Sequence, residues 1–280
     1  MNHQIEAGGD ILSLEDMQKA LCSATQLYGY KSVVLDVVEN SKFKNKNNPK
    51  VGLIALSTDQ TIESDFNKIC NNLPLNIFIN RIHNQNPLTK ENLLKMQDDL
   101  ESVTHKILPN EKINTIAYGC TSGTIAIGED KVKELILLGK KDCYVTTPVT
   151  SAIKAFKQMN VKKIALFTPY PDKVNKTILE YFIKKNIDVT SFTSLNLNLD
   201  SEFANVDPNY ILEISSKLEM KNADALFISC TALPVLSILD ELEKKLKKPV
   251  LSSNQTLIWD TIRSIGYKSP IKGYGKLLEK

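Results

Sequence analysis

The chain has 280 residues, 42% hydrophobic and 24% charged, as expected for a folded protein of one large or two small domains. Its net charge of +3 is small and its lysines are scattered, which argues against a nucleic-acid partner. No apolar run approaches the ~20 residues that span a bilayer, and the first twenty residues lack a signal-peptide pattern. We therefore expect a cytoplasmic protein with no membrane partner.

The first 45 residues are predicted to form an N-terminal extension. Ser13 begins a capping-box pattern before a predicted helix over residues 14–28, and the run SVVLDVVE predicts a strand over residues 32–39. The polar, Asn/Lys-rich stretch 40–50 then indicates a linker.

Beyond the linker, short apolar runs alternate with helical patterns, which predicts parallel α/β architecture. The first cycle has predicted strands at 51–58, 76–82, 115–121 and 143–147, and predicted helices starting at Thr89, covering 129–139 and covering 150–159. The second has predicted strands at 163–170, 189–195, 223–231 and 249–254, and predicted helices after Pro171, after Asp207, over 234–247 and before Gly266. We predict a first α/β domain over 46–150 and a second over 151–252.

The two cycles share an internal repeat that places two cysteines at matching positions. Buried runs start at residues 52 and 163, 111 apart, and the strands IAYGCTSGT and LFISCTALP carry Cys120 and Cys230, 110 apart. Matching offsets indicate two copies of one α/β unit related by a pseudo-twofold repeat. Because ligands of open parallel sheets bind beyond the carboxyl ends of strands, we expect an active site between the two units.

The turns after these cysteines suit a small carboxylate. Thr121, Ser122 and Thr231 offer hydroxyls, together with free backbone N–H groups at predicted helix starts. An unperturbed thiol has a pKa of ~8.5, and a helix N-terminus lowers the pKa. One thiol could then act as base while the other acts as acid.

The remaining cysteines are interpreted differently. A free cysteine at the end of a buried strand is usually a small core residue, and Cys22, Cys70 and Cys143 have no counterpart in the repeat. The count is odd and no CxxC pair occurs, which argues against a disulfide framework. The three histidines are dispersed, so we expect no metal and no cofactor.

Six motifs resemble the aspartate/glutamate racemase superfamily, in its maleate isomerase and arylmalonate decarboxylase branch. They are GLIALSTD, GCTSGT, TTPVTSA (146–152), FTPYPDKVN (167–175), ISCTALP and SSNQTLIWDTIRSIGY (252–267). The resemblance covers roughly residues 50–280 and is closest to the ectoine-utilisation protein A subfamily. It implies two similar domains enclosing the site, a C-terminal segment 253–280 that completes the first domain, and a homodimer.

The resemblance also implies roles for individual residues. Cys120 and Cys230 match the family's catalytic pair, and Tyr170 matches a tyrosine that hydrogen-bonds substrate; the alternative for Tyr170 is an ordinary strand-end tyrosine. Thr121, Ser122 and Thr231 match carboxylate-binding turns, and Asn254 is interpreted as an amide that holds the last loop. Arylmalonate decarboxylases keep only the second cysteine, so the presence of both argues against plain decarboxylation.

Two positions depart from the maleate isomerase pattern. Asp59 stands where those enzymes carry Asn, and in a looser alignment Asp200 replaces a second Asn. A carboxylate repels a dianionic substrate and attracts an ammonium or amidine group. We therefore predict an amino-acid-like substrate with Asp59 as its amine ligand; the alternative is that Asp59 caps the following helix.

Three functions remain open at this point. The leading hypothesis is a cofactor-independent racemase or isomerase of a small carboxylic or amino acid, an ectoine-derived one being a candidate, with the two cysteines as acid/base pair. The first alternative is a maleate-type cis–trans isomerase in which Cys120 is the covalent nucleophile. The second is a non-catalytic protein that binds a small carboxylate and tolerates Cys120→Ser.

Overall fold

The computed structural model describes residues 5–7, 10–12, 15, 16, 19, 23 and 48–280, and its contacts form two compact units, 1–47 and 48–280. In the first unit, strands β1 (Ile5–Ala7) and β2 (Asp10–Leu12) pair antiparallel. Residues 15, 16, 19 and 23 are helical, in agreement with the predicted helix. Cys22 and the predicted strand 32–39 lie outside the described residues.

The second unit begins with a cycle of parallel strands and helices. Its elements are β3 (Lys50–Leu56), α1 (Ile62–Cys70), β4 (Asn76–Ile82), α2 (Lys90–Lys95), α3 (Gln97–His105), β5 (Thr115–Gly119), α4 (Thr121–Ile127), α5 (Glu129–Gly139), β6 (Tyr144–Thr146) and α6 (Pro148–Gln158). The helix predicted from Thr89 is therefore two helices, divided at Met96. The strand predicted over 115–121 ends at Gly119, because Cys120 already caps α4.

A second cycle follows in the same order. Its elements are β7 (Lys163–Thr168), α7 (Asp172–Lys184), β8 (Asp188–Ser194), α8 (Asp200–Ala204), α9 (Pro208–Ser216), β9 (Ala225–Ile228), α10 (Leu239–Leu246), β10 (Val250–Ser252) and α11 (Ser253–Ser264), with 3-10 turns at Leu236–Ile238 and Lys276–Glu279. The short helix α8 was not predicted, and the strand expected over 223–231 is confined to Ala225–Ile228.

The two sheets have the same topology. Four parallel strands are ordered β4-β3-β5-β6 in the first sheet and β8-β7-β9-β10 in the second. Each strand of the second sheet thus takes the place of the strand four earlier in the chain. This arrangement confirms the predicted fold class of two similar parallel α/β units and places the carboxyl ends of β5 and β9 at equivalent positions.

Helix α11 connects the two sheets. It starts where β10 of the second sheet ends, yet it packs on β5, α1 and α6 of the first. All of its residues from Ser253 to Ile262 are buried, and Thr261 contacts Thr146 through a 2.9 Å hydroxyl–hydroxyl hydrogen bond. A helix that is buried on all sides belongs to a core. The first residues of α11 therefore lie among the strand ends that carry the cysteines.

Candidate active site

Cys120 lies at the end of β5 and caps helix α4. Its backbone is extended and its Sγ accepts a hydrogen bond from the Gly123 N–H at 3.2 Å, while the Ser122 hydroxyl lies 3.9 Å from the sulfur. A Cβ at position 123 would lie 2.7 Å from this Sγ and 2.9 Å from the Tyr118 hydroxyl. The glycine of GCTSGT is therefore required for the close approach of the helix backbone to the thiol.

Cys230 follows β9 in an irregular turn, and its exposed fraction is 4% against 2% for Cys120. Its backbone N–H donates to the Ser253 hydroxyl at 3.1 Å. Burial raises the pKa of the Cys230 thiol, and hydrogen bonds from the Tyr170 hydroxyl and the Ala232 N–H oppose the rise. The second thiol is thus surrounded by groups from several elements.

Hydrogen bonds connect the two cysteine turns directly. The Thr121 hydroxyl donates to the Ser253 hydroxyl at 3.0 Å, and the Thr231 hydroxyl donates to the Gly119 carbonyl at 3.2 Å. The Thr61 hydroxyl, at the start of α1, donates to the Ala232 carbonyl at 2.8 Å. The hydroxyls of Thr121 and Thr231, both predicted to bind a carboxylate, therefore donate hydrogen bonds within the protein instead. Of the three hydroxyls predicted for this role, Ser122 is the one outside these bonds.

Tyr170 completes the group around the thiols. It is buried two residues beyond the end of β7, and its ring meets the Phe203 ring edge-on with centroids 5.8 Å apart. Burial raises the pKa of Tyr170 well above its usual value, and the charges of Cys230 and Cys120 add to the rise. Both thiols are thus within electrostatic reach of one phenol.

Asp59 follows β3 and is 2% exposed. Its Oδ1 accepts hydrogen bonds from the Thr61 N–H at 2.8 Å and the Ile62 N–H at 2.9 Å, so it does cap helix α1. Its Oδ2 is buried and has no hydrogen-bond partner among the described residues. Burial raises the pKa of Asp59, against a lowering by the two backbone N–H groups and by Thr231. The capping alternative accounts for Oδ1; the Thr231 hydroxyl lies near the carboxylate but donates to the Gly119 carbonyl.

Asp200 reaches this region from the second cycle. Its Oδ2 accepts hydrogen bonds from the Thr58 hydroxyl at 2.7 Å and from the Asn84 amide at 2.8 Å. Thr58 follows β3 and Asn84 follows β4, so the contact joins α8 to the first sheet. The strand-end cluster therefore contains two carboxylates, Asp59 and Asp200, one from each cycle.

Both thiols are weak acids in this setting. Burial raises the pKa of Cys120 to about 12; the Gly123 N–H opposes this rise, and the charges of Asp200 and Asp59 add to it. Burial likewise raises the pKa of Cys230, and the same two carboxylates add to the effect. The expectation that a helix N-terminus lowers the thiol pKa is thus outweighed by desolvation.

Several residues of the site were not identified from the sequence. They are Ser253, Thr61, Thr58 and Asn84, each of which lies at or just beyond a strand end. The motif SSNQ carries Ser253, but only Asn254 was singled out. The Asn254 amide donates to the Thr231 carbonyl at 2.8 Å and to Asp65 at 2.9 Å, which supports its interpretation as a structural amide.

Other features of the described residues lie apart from this cluster. Cys70 and Cys143 are free and buried. In the part of the chain that the structure describes, no group of three or more His, Cys, Asp and Glu side chains is placed to hold a metal ion. Among the same residues, no helix is long and apolar enough to cross a membrane.

Comparison with known proteins identifies the family. A family model described as arylmalonate decarboxylase matches residues 103–278, which is more than half of the chain. The chain belongs to the arylmalonate decarboxylase family. A maleate isomerase from Geobacillus stearothermophilus is 28% identical to this chain over 199 residues, which cover 68% of this chain and 79% of that enzyme.

Solved structures agree with the fold of this family member. A maleate isomerase from Pseudomonas putida, a cysteine-to-alanine variant with maleate, has a TM-score of 0.76 at 20% identity and covers 82% of this chain and 97% of its own. A second structure is a Nocardia farcinica maleate cis-trans isomerase, a cysteine-to-serine variant with a covalently bound succinylcysteine intermediate. Its TM-score is 0.75 at 18% identity, and the match covers 82% of this chain and 98% of that chain.

These similarities bear on the predicted family and enzyme class. The predicted branch of the aspartate/glutamate racemase superfamily is confirmed, and the family member is an enzyme of the isomerase class. The finer assignment to the ectoine-utilisation protein A subfamily stays a prediction. So do the roles of the individual site residues.

Proposed function

We propose that this protein is a cofactor-independent isomerase that exchanges the α-proton of a small carboxylic acid bearing a positive nitrogen. The observation that carries the proposal is the buried Asp59 carboxylate within electrostatic reach of both thiols: among the described residues its Oδ2 has no hydrogen bond, and the nearby Thr231 hydroxyl donates to the Gly119 carbonyl instead. A buried carboxylate offsets its desolvation by accepting from a donor, by pairing with a cation or by binding a proton, and the raised pKa of Asp59 reflects the last of these in the free protein. An ammonium or amidine group supplies a donor and a positive charge together.

The two cysteines are the proposed acid/base pair. The thiolate of one takes the α-proton, so the C–H electron pair becomes that of a carbanion. The thiol of the other gives its proton to the opposite face of the same carbon. The protons are thereby exchanged between the two sulfurs, the configuration inverts, and the reverse reaction interchanges the roles of Cys120 and Cys230.

The substrate's positive charge also favours formation of a thiolate. Asp59 and Asp200 both raise the pKa of the thiols. Burial is the larger cause of the raised thiol pKa, and a cation placed against these carboxylates removes only the smaller part that their charges add. One thiol then releases its proton to solvent. Substrate binding and activation of the thiolate base are coupled in this scheme.

The remaining predicted ligands take the carboxylate end. The Ser122 hydroxyl and the backbone N–H groups of the first turn of α4 lie next to Cys120, where a helix start favours an anion. The Tyr170 hydroxyl is proposed to hydrogen-bond the substrate between the two thiols. Thr121 and Thr231 are proposed to contribute through their backbone, since their hydroxyls bond to Ser253 and Gly119.

The second candidate is a maleate-type cis–trans isomerisation. The names of the maleate isomerase relatives favour it, as does the succinylcysteine found in the Nocardia farcinica variant. The Cys120 sulfur would add to one alkene carbon while Cys230 protonates the other. Rotation about the new single bond and elimination of the sulfur, with return of the proton, would then give the trans acid. Asp59 and Asp200 oppose a dianionic substrate of this kind.

Incubation in D2O with maleate, aspartate, diaminobutyrate, its acetyl derivatives and ectoine separates these functions. Deuterium at the α-carbon of an amino compound, followed by NMR, is the expected result, and formation of fumarate would favour the second candidate. If some compounds bind while all remain unchanged, the protein is a binding protein and the catalytic proposal is wrong.

We also propose four properties that rest on the family resemblance and the composition. The protein acts in the cytoplasm as a homodimer, without nucleic-acid or membrane partners. Its domains are 46–150 completed by 253–280, and 151–252, preceded by the extension 1–45. Size-exclusion chromatography with light scattering tests the dimer, and limited proteolysis tests the domain boundaries.

A further inference from the structure

We propose that Ser253 is a positioning residue that sets the separation of the two thiols. Its hydroxyl accepts one hydrogen bond from the Thr121 hydroxyl at 3.0 Å and another from the Cys230 N–H at 3.1 Å. We call these two bonds the Ser253 bridge. Thr121 directly follows Cys120, so the bridge joins the residue after one thiol to the backbone of the other.

The position of Ser253 explains why it can do this. It is the first residue of α11 and is 0% exposed. It follows β10, the neighbour of β9, and so it lies beside the Cys230 turn within the second sheet. Thr121 is the first residue of α4, which follows β5 of the first sheet. The Ser253 bridge therefore crosses between the sheets at the level of the thiols.

The bridge matters because a two-thiol reaction depends on the distance between the sulfurs. Reacting groups must be held in a near-attack geometry, and a displacement of ~1 Å can cost ~100-fold in rate. Removing the Ser253 hydroxyl leaves the Thr121 hydroxyl and the Cys230 N–H buried without this acceptor. Such unpaired groups rearrange to find new partners. The two turns are then expected to shift apart.

The neighbouring serine provides a matched control. Ser252 is also buried, and its Oγ accepts from the Gln255 N–H at 3.2 Å as the N-cap of α11. Ser252→Ala removes a helix cap of the same helix without touching either thiol turn, so it lowers stability and leaves the thiol geometry unchanged. The pair S252A and S253A therefore separates a general loss of stability from a change in thiol geometry.

The inference rests on the proposed thiol pair but not on the substrate, so the main test uses dibromobimane, a reagent that becomes fluorescent when it bridges two thiols. Wild-type protein and S252A are expected to form the Cys120–Cys230 bridge, identified by its loss in Cys120→Ala and by peptide mapping. S253A is expected to form it at least ~10-fold more slowly. Thr121→Val, which removes the bridge from the other side, is expected to behave in the same way.

The double variant S253A/T121V completes the test. If the two hydroxyls act as one unit, the fold-decrease in bridging rate of the double variant equals that of either single variant. If they act independently, it equals the product of the two single fold-decreases. Where a substrate is turned over, kcat falls with the bridging rate while KM changes little. Equal bridging by S253A and S252A, or no bridging in the wild type, overturns the inference. Normal bridging behaviour with no turnover of any compound instead refutes the proposed function and leaves the role of Ser253 intact.

Discussion

The turns at Cys120 and Cys230 occupy equivalent places in the two sheets, yet their surroundings differ. Cys120 has φ −143° and ψ 113° and caps a regular helix, so its sulfur is satisfied by the N–H of Gly123, three residues on. Cys230 is followed by the irregular residues 231–235 before the 3-10 turn at Leu236–Ile238. The repeat thus duplicates the position of the thiol and not its environment.

The second turn depends on distant parts of the chain. Its residues bond to Gly119, Thr61, Ser253 and Asn254, over sequence separations of 112, 171, 23 and 23 residues. The geometry at Cys120 is therefore mostly local, whereas the geometry at Cys230 exists only when the two sheets are assembled. Variants of each turn should therefore fail in different ways.

The largest effect is expected from removing either thiol. Cys120→Ala and Cys230→Ala should each lower kcat by ~100- to 10,000-fold, the usual range for loss of a general acid or base. Steady-state kinetics on the compound identified in D2O measures this. Cys143→Ala, a buried cysteine outside the cluster, serves as control. Full activity in both C120A and C230A would contradict the proposed catalytic role of the two thiols.

Gly123→Ala should damage the first turn alone. The added Cβ would lie 2.6 Å from the Met96 methyl carbon and 2.7 Å from the Cys120 Sγ. Overpacking of this kind costs ~1–3 kcal/mol and displaces the sulfur. Alkylation followed by peptide mapping should show an altered rate at Cys120 and an unchanged rate at Cys230. An equal change at both thiols would show that the first turn is not local.

Neutralising a carboxylate should change both thiols together. Asp59→Asn and Asp200→Asn remove negative charges that raise the pKa of Cys120 and Cys230, so the pKa of both thiols should fall. The pH dependence of iodoacetamide labelling should shift to lower pH at each cysteine. The control is Asp224→Asn. Asp224 lies at the opposite end of the second sheet, where it accepts from the Lys162 and Lys163 N–H groups, so its replacement should leave the pH dependence of labelling unchanged.

The same two variants test the substrate proposal. With less negative charge at the site, binding of an amino-bearing compound should weaken and binding of maleate should strengthen, which calorimetric titration measures. Tighter binding of the amino compound by D59N would contradict Asp59 as its ligand.

The smallest effect concerns Asp65, which accepts from the Asn254 amide that holds the second turn. Burial raises the pKa of Asp65 from 3.8 to about 6. The native state therefore binds this proton more tightly than the unfolded state, and stability falls as pH rises from about 4 to 6. Asp65→Asn should remove that loss and raise the free energy of unfolding at pH 8 by ~1–3 kcal/mol, with little change below pH 4.

Urea denaturation at pH 4 and pH 8 checks the Asp65 prediction. Wild-type protein should lose more stability than D65N between these two pH values. A parallel pH dependence in the two proteins would mean that Asp65 does not titrate in this range.

Much of the fold could be predicted because its signals are local. Apolar runs identified the strands of both sheets, the 110-residue offset identified the repeat, and both cysteines were expected at strand ends. The break at Met96 and the short helix α8 were not predicted, because five- and six-residue helices carry too few residues for a helical period to be recognised.

The sequence by itself determined the α/β class, the repeat and the residues that carry the proposed chemistry, since these follow from side-chain periodicity and turn composition over short stretches. Only the tertiary structure decided how the second turn is held, through Ser253 and Asn254, and how Asp200 meets Thr58, a residue 142 positions away. The sequence predicts a lowered thiol pKa, whereas in the assembled structure burial raises the pKa of both thiols. Desolvation and long-range charge depend on the assembled sheets, and no local pattern encodes them.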